Sequence, residues 1–216
     1  MSVNPSLVLG SASPRRVALL HQLGLKFTQV VSTAPEPEPQ SGDDPAAHVL
    51  HSAQVKAQAV QHQLAVQHQL AVQHQLGQTA NGHEYLIIGA DTVVCLENTI
   101  LGKPRDKDDA AVILRRLSGQ THQVYTGIAL NAADGRQWQD CVATQVHMLP
   151  FTERDIQAYV AGGEPLDKAG AYGIQGQGAR FIEYIEGCYY NVVGLPLARL
   201  VQLLEQAGFC LDGNKH

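Results

Sequence analysis

Near the start of the chain, GSASPRRVAL at residues 10–19 sets Arg15 and Arg16 beside Ser11 and Ser13, directly after a short apolar run. Two adjacent guanidinium groups with small hydroxyls at a strand-to-helix junction suit an anion. The amides at a helix N-terminus and guanidinium donors together make a phosphate site. The ordinary alternative is a capped helix with surface arginines. Asp91 follows a second apolar run, YLIIGA. A carboxylate there is costly unless it is paired or binds a metal. Beside a magnesium triphosphate it would serve as a metal ligand or as the base for a water; otherwise it caps a loop.

Further polar groups break apolar segments downstream. Lys56 in AQVKAQA, Lys103 in LGKPRD and Lys168 in LDKAGAYGIQG are each an ordinary solvated lysine when taken alone. Gly170, Gly173, Gly176 and Gly178 form a loop whose backbone can approach a ligand closely. Gln175 within it carries an amide that both donates and accepts, which suits reading a base edge. The pattern is not GxxxxGK[ST], nor GxGxxG after a first strand, and neither a G-x-S-x-G elbow nor a Ser-His-Asp order occurs.

These groups sit in a mildly acidic chain with a formal net charge of −5. That balance argues against a general nucleic-acid binder, so an anion site must be a local concentration of Lys and Arg. No stretch of about 18 apolar residues occurs, so no membrane partner is expected. Residues 1–10 lack the charged and apolar regions of a leader. Cys95, Cys141, Cys188 and Cys210 are widely spaced, which fits free thiols in a reducing, cytoplasmic setting rather than a disulfide framework or zinc site. With 216 residues, 44% of them hydrophobic, the chain suffices for a single α/β domain over 1–216.

The elements that must position these residues follow from pattern. Residues 6–9 read as a buried strand. Ser13 as N-cap and Pro14 as first residue open a helix through Val17, Leu20 and Leu23, stopped by Gly24. A strand is expected over 27–32, an acidic Pro-rich loop over 33–45, and a long helix opened by Asp44 and Pro45. The run 85–96 reads as a buried strand with polar chemistry in its GADT segment, and Glu97-Asn98 as a turn. Asp106 caps a helix carrying Ala110, Ile113, Leu114 and Leu117, which ends near Gly119. Strands over 122–131 and 137–149 pair antiparallel around the turn at 133–135. Thr152 caps a helix with Ile156, Tyr159 and Val160, ended by Gly162-Gly163. A last helix starts at Pro196 with Leu197, Leu200, Val201 and Leu204 on one face. Mixed strands and helices imply an α/β class with a mixed β-sheet and flanking helices.

VQHQL occurs at 60–64, 66–70 and 72–76. A period of six advances about 600° along a helix, so the three copies point in three directions. His62, His68 and His74 therefore cannot form one metal face. The repeat reads as an exposed helix extension at about 59–76.

Taken together, SASPRR, GADT, GKPRD, YTG, LDKAGAYGIQG and VVGLPL resemble the Maf family of nucleoside triphosphate pyrophosphatases, in the family's order and from residue 7 to about 206. The resemblance implies two lobes around a cleft, in a fold similar to the inosine triphosphate pyrophosphatases. It implies hydrolysis of a nucleoside triphosphate between the α- and β-phosphates with a divalent metal, Mg or Mn. By position, Asp91 resembles the catalytic carboxylate and a metal ligand, and Glu36 the acidic metal residue after the second strand. Ser11, Arg16, Lys56 and Lys103 resemble the phosphate-binding groups. Arg15 after Pro14, Thr92 after Asp91, and Gln175 resemble the dTTP/UTP subclass rather than the 7-methyl-GTP one. Three features depart from the family pattern: Gly10 in place of Ala, the repeat at 60–76, and Pro35 where an acid is common. A nucleotide-sensing regulator of cell division without important turnover is the reading from another class, and a homodimer is an open expectation.

Overall fold

The computed structural model describes residues 4–73 and 85–211, the side chains of 68–73 excepted. Its elements are β1 (Ser6–Leu9), α1 (Pro14–Gln22), β2 (Phe27–Gln29), α2 (Pro45–Gln73), β3 (Tyr85–Leu96), β4 (Thr99–Leu101), α3 (Lys107–Leu117), β5 (Thr121–Ala132), β6 (Gln137–Met148), α4 (Glu153–Ala161), β7 (Ile182–Glu186), α5 (Tyr189–Val193) and α6 (Leu197–Gln206). Three short 3₁₀ turns, Glu164–Asp167, Ala169–Ala171 and Gln177–Phe181, lie between α4 and β7. The strands form one mixed seven-stranded sheet in the order β2-β1-β3-β5-β6-β7, with β4 paired to β3. β1 runs parallel to β2 and β3, and the remaining pairings are antiparallel.

Helix boundaries follow local chemistry. The Ser13 side chain accepts from the Arg16 amide with Pro14 in the first turn, and Gly24 takes the left-handed conformation just beyond the end. Asp106 caps α3, whose first turn is acidic and last turn basic, complementing the helix dipole. Thr152 and Asp155 form a reciprocal capping box on α4. Glu97 and Asn98 both have positive φ, which gives the tight two-residue hairpin from β3 to β4.

The two faces of the sheet are covered differently. On one face the only helix among the described residues is α2, over a small cluster of Val8, Ile87, Ala129, Ala53, Ala57 and Val60. Its approach is close because Gly89 and Gly127 carry no side chain: a Cβ on Gly89 would run into the Ala53 carbonyl, and one on Gly127 into the Val49 carbonyl. On the other face two apolar groups form. The first joins α1 and α6 to Leu86, Ile88 and Ala90 of β3 and Ile128 and Leu130 of β5. The second joins α3 and α4 to Val94 and Leu96 of β3 and Val124 of β5. Each fully buried Leu or Ile contributes about 1.5–3 kcal/mol. The long strands β3 and β5 thus run along both apolar clusters, and the cleft falls where one gives way to the other.

Some boundaries differ from expectation. β2 ends at Gln29, although the Val30 amide still bonds to the Leu9 carbonyl. In α6 the buried set is Leu197, Leu200, Leu203 and Leu204, with Val201 half-buried, because the helix turns its stripe toward β5 and β6. Around and beyond the expected glycine-rich loop, the chain between α4 and α6 forms three 3₁₀ turns, β7 and α5. The repeat begins as the last turns of α2. Val60 is buried and Leu64 packs against the core edge, but Ala65, Val66 and Gln67 are exposed. His62 is exposed, while the side chain of His68 and all of His74 lie outside the described residues.

Candidate active site

β3 pairs with β1 through Ile88 and with β4 from Val94 onward. Between those points, residues 89–93 have no strand on that side. The gap opens into a cavity of about 490 Å³. Ser11, Arg15, Arg16, Glu36, Lys56, Asp91, Thr92, Lys103 and Gln175 all line it. Its wall also carries Asp167 and Lys168, so five cations face three carboxylates. In a chain of net charge −5, this is the local positive concentration that an anion site requires.

Asp91 lies in mid-strand, opposite Gly127, rather than at the end of its apolar run. Its side chain alternates onto the face covered by α2. There the Lys56 Nζ, on the buried side of the helix, stands 2.7 Å from Asp91 Oδ1 and 2.9 Å from Glu36 Oε1. The other Glu36 oxygen accepts from Lys103 Nζ at 3.1 Å. Burial would push the Glu36 carboxyl up, but the hydrogen bonds and charges of Lys56 and Lys103 override it and hold the group at about 2. The four side chains therefore form a chain, Asp91–Lys56–Glu36–Lys103, from the strand to the mouth of the cleft.

Arg16 and Thr92 lie on the opposite face of β3, and both are committed within the protein. The buried Arg16 guanidinium donates to the Gly194 carbonyl (2.8 Å), the Ala90 carbonyl (2.9 Å), Ser11 Oγ (3.3 Å) and Thr92 Oγ1 (3.0 Å). Burial draws its pKa down, against the attraction of Asp91. The Thr92 hydroxyl is shared further with Thr126 Oγ1 at 2.9 Å. Thr126 reaches the Asn191 carbonyl at 3.1 Å, and Asn191 Nδ2 bonds to the Val124 carbonyl and Thr144 Oγ1. Thr126 and Asn191 are wholly buried polar groups; the signal for them was a Thr in YTG and an Asn within an apolar YYNVVGLPL.

The mouth is closed by the segment after α4. Arg15 Nη1 donates to Asp167 at 3.1 Å, and Lys168 Nζ to Asp167 and the Glu164 carbonyl. Glu164 was not singled out by sequence. Its carboxylate accepts from Tyr159 Oη (2.9 Å) and from the amides of Gln177 (2.8 Å) and Gly178 (3.2 Å), and so fixes the loop bearing Gln175. A Cβ on Gly176 would collide with that carboxylate, which is why the loop needs glycine there. Gln175 itself is exposed in the cavity wall, and its amide has no hydrogen-bond partner among the described residues. Behind the wall, His122 Nε2 and Tyr172 Oη are 2.7 Å apart, and burial holds His122 down at about 4.

The family model for Maf-like proteins matches residues 6–207. The chain belongs to the Maf family. A dTTP/UTP pyrophosphatase of Pelotomaculum thermopropionicum is 44% identical over 94% of this chain and 97% of its own length. One of Shigella sonnei is 46% identical over 92% and 91%, and one of Escherichia coli O157:H7 is 46% identical over the same shares. A solved nucleoside-triphosphatase/dITP/XTP pyrophosphatase from Mycobacterium abscessus aligns over 94% of this Maf chain and 95% of its own, at 10% identity and a TM-score of 0.39. That likeness is too slight to bear on the fold. Among the described residues, no helix of this Maf protein is long and apolar enough to cross a membrane.

Proposed function

We propose that this Maf protein hydrolyses dTTP and UTP to the nucleoside monophosphate and pyrophosphate. The observation that carries the reading is the Asp91–Lys56–Glu36–Lys103 chain, set in a cationic cleft. Relatives of near-equal length named dTTP/UTP pyrophosphatases supply the substrate class.

A triphosphate carries about four negative charges, which shield its α-phosphorus from attack; fixed cations offset that repulsion at no cost in reorganisation. Lys103 and Arg15 stand at the mouth to receive the phosphates, exchanging their carboxylate partners for substrate oxygens. Ser11 Oγ accepts from the Ser13 amide and Arg16, so the hydroxyl's own hydrogen is the group it offers to the ligand. The N-terminus of α1 adds its dipole. Lys56 holds one oxygen of Asp91, leaving Oδ2 to take a proton from the attacking water.

Asp91 and Glu36 would hold a divalent cation. Among the described residues no three His, Cys, Asp or Glu side chains gather, so the donor set fits a hard cation that arrives with phosphate oxygens rather than one held by a protein cage. Such an ion supplies Lewis-acid neutralisation of the phosphates. We place the enzyme in the cytoplasm, in keeping with its unpaired thiols.

The test is steady-state release of pyrophosphate over a panel of dTTP, UTP, CTP, ATP, GTP, 7-methyl-GTP and base-modified pyrimidine triphosphates. Fastest turnover of dTTP and UTP supports the reading. Preference for 7-methyl-GTP, or binding without turnover, overturns it.

A further inference from the structure

We propose that Arg16 is a positioning residue, whose guanidinium takes the place of the missing strand between β1 and β4 and holds β3 on both sides of Asp91. The proposal deepens the functional reading above and rests on it for the identity of the reaction.

Within β3, even-numbered residues turn their backbone groups toward β1 and β4. Gly10 N donates to Ile88 O at one end of the gap, and Val94 pairs with Leu101 at the other. The backbone groups of Ala90 and Thr92 face the gap itself. A buried carbonyl with no partner costs about 1–3 kcal/mol, and a bare edge leaves the strand free to shift. Arg16 fills this place: Nη1 takes the Ala90 carbonyl and Nη2 the Thr92 hydroxyl, one residue before and one after Asp91. Nε ties the same group to Gly194, at the start of the chain into α6, and Nη1 also ties it to Ser11 after β1. Four of the five N–H donors of the guanidinium are thereby spent on four protein acceptors in three segments. The residue is only 8% exposed. A group built to grip phosphate would keep its bidentate fork free toward the cleft. Here the fork grips the strand, while Lys56 grips the Asp91 carboxylate from the other face. Lysine cannot replace this arrangement, since an ammonium is a point donor without the planar span.

The test compares wild type with Arg16→Lys, which keeps the charge but loses the fork. Turnover of dTTP, binding of its non-hydrolysable α,β-imido analogue, and amide hydrogen exchange at 89–93 are measured. A strand displaced by about 1 Å costs on the order of 10²-fold in kcat, with KM and the analogue Kd held within about threefold and exchange at 89–93 accelerated. Analogue binding weakened by about tenfold or more marks a phosphate ligand and overturns the proposal, whatever happens to kcat. Unchanged exchange at 89–93 overturns it equally. Should Arg16→Lys not fold, Thr92→Val removes one held point: a lower kcat at constant KM supports the proposal, and an unchanged kcat contradicts it. A wild type that releases no pyrophosphate from any nucleotide sinks the functional reading alone, because the exchange measurement does not depend on turnover.

Discussion

Lys56 Nζ reaches Asp91 Oδ1 at 2.7 Å although the two residues lie on different layers, a helix and the strand beneath it. The reach depends on Gly89 and Gly127, which let α2 lie directly on β3 and β5. Helix proximity, not lysine length alone, builds the pair.

Gly89→Ala is therefore expected to harm both stability and activity. The added methyl meets the Ala53 carbonyl and the Ala57 backbone, neither of which is a flexible side-chain tip. Overpacking of this kind costs about 1–3 kcal/mol, and lifting α2 draws Lys56 away from Asp91. Urea unfolding and pyrophosphate release check this; wild-type values for both would show that the close approach is dispensable.

Acid stability depends on His122. Burial, and secondarily the charge of His147, holds its imidazole neutral down to about 4, against an ordinary value of about 6.5. Between those pH values the unfolded chain binds a proton that the folded chain refuses. Stability thus falls as pH drops through that window and is untouched above it, with a ceiling of about 3 kcal/mol. His122→Gln keeps a partner for Tyr172 and removes the titration. Its melting temperature should change less than that of wild type between pH 7 and pH 4.5; identical slopes would contradict the assignment.

Deleting one VQHQLA unit, residues 66–71, should leave activity near wild type. Among the described side chains of α2, Val60 is the last buried one, and Ala65, Val66 and Gln67 are exposed. Loss of turnover in a protein that still melts cooperatively would show that the repeat shapes the cleft.

Local signals carried most of the fold as far as α4. Ser13, Asp106 and Thr152 announce their helices because a cap is a contact between near neighbours. The stretch from Glu164 to Gly194 was not legible in the same way. Its order comes from distant partners: a Glu164 carboxylate gathering the amides of residues 177 and 178, and an Asn191 amide held by β5 and β6. The candidate residues could be gathered from motifs, and the structure sets all of them around one cavity. Which of them are free was invisible. A serine-arginine motif reads the same whether its guanidinium faces a ligand or a strand edge, and only the gap between β1 and β4 explains why Arg16 turns inward.

Base choice should rest on Gln175. Its amide is exposed in the cavity on a loop that Glu164 fixes, and it can both donate and accept. Uracil and thymine present acceptor, donor, acceptor, whereas cytosine replaces a carbonyl and the N–H with an amino group and a bare nitrogen. A site built on such bonds rejects the wrong edge strongly. The ratio of kcat/KM for UTP over CTP should be well above one and fall in Gln175→Glu; equal values for the two nucleotides in wild type would contradict this assignment.

The most direct test of the account is pyrophosphate release from dTTP by Asp91→Asn, measured beside wild type under identical metal and pH. The swap keeps the size of the side chain and its contact with α2 but removes the charge that takes the proton. Loss of a general base typically costs about 10²–10⁴-fold, and the account predicts a fall in that range with the melting transition still cooperative. Retention of more than about a tenth of wild-type turnover, short of that range, would contradict the role given to Asp91 and with it the mechanism.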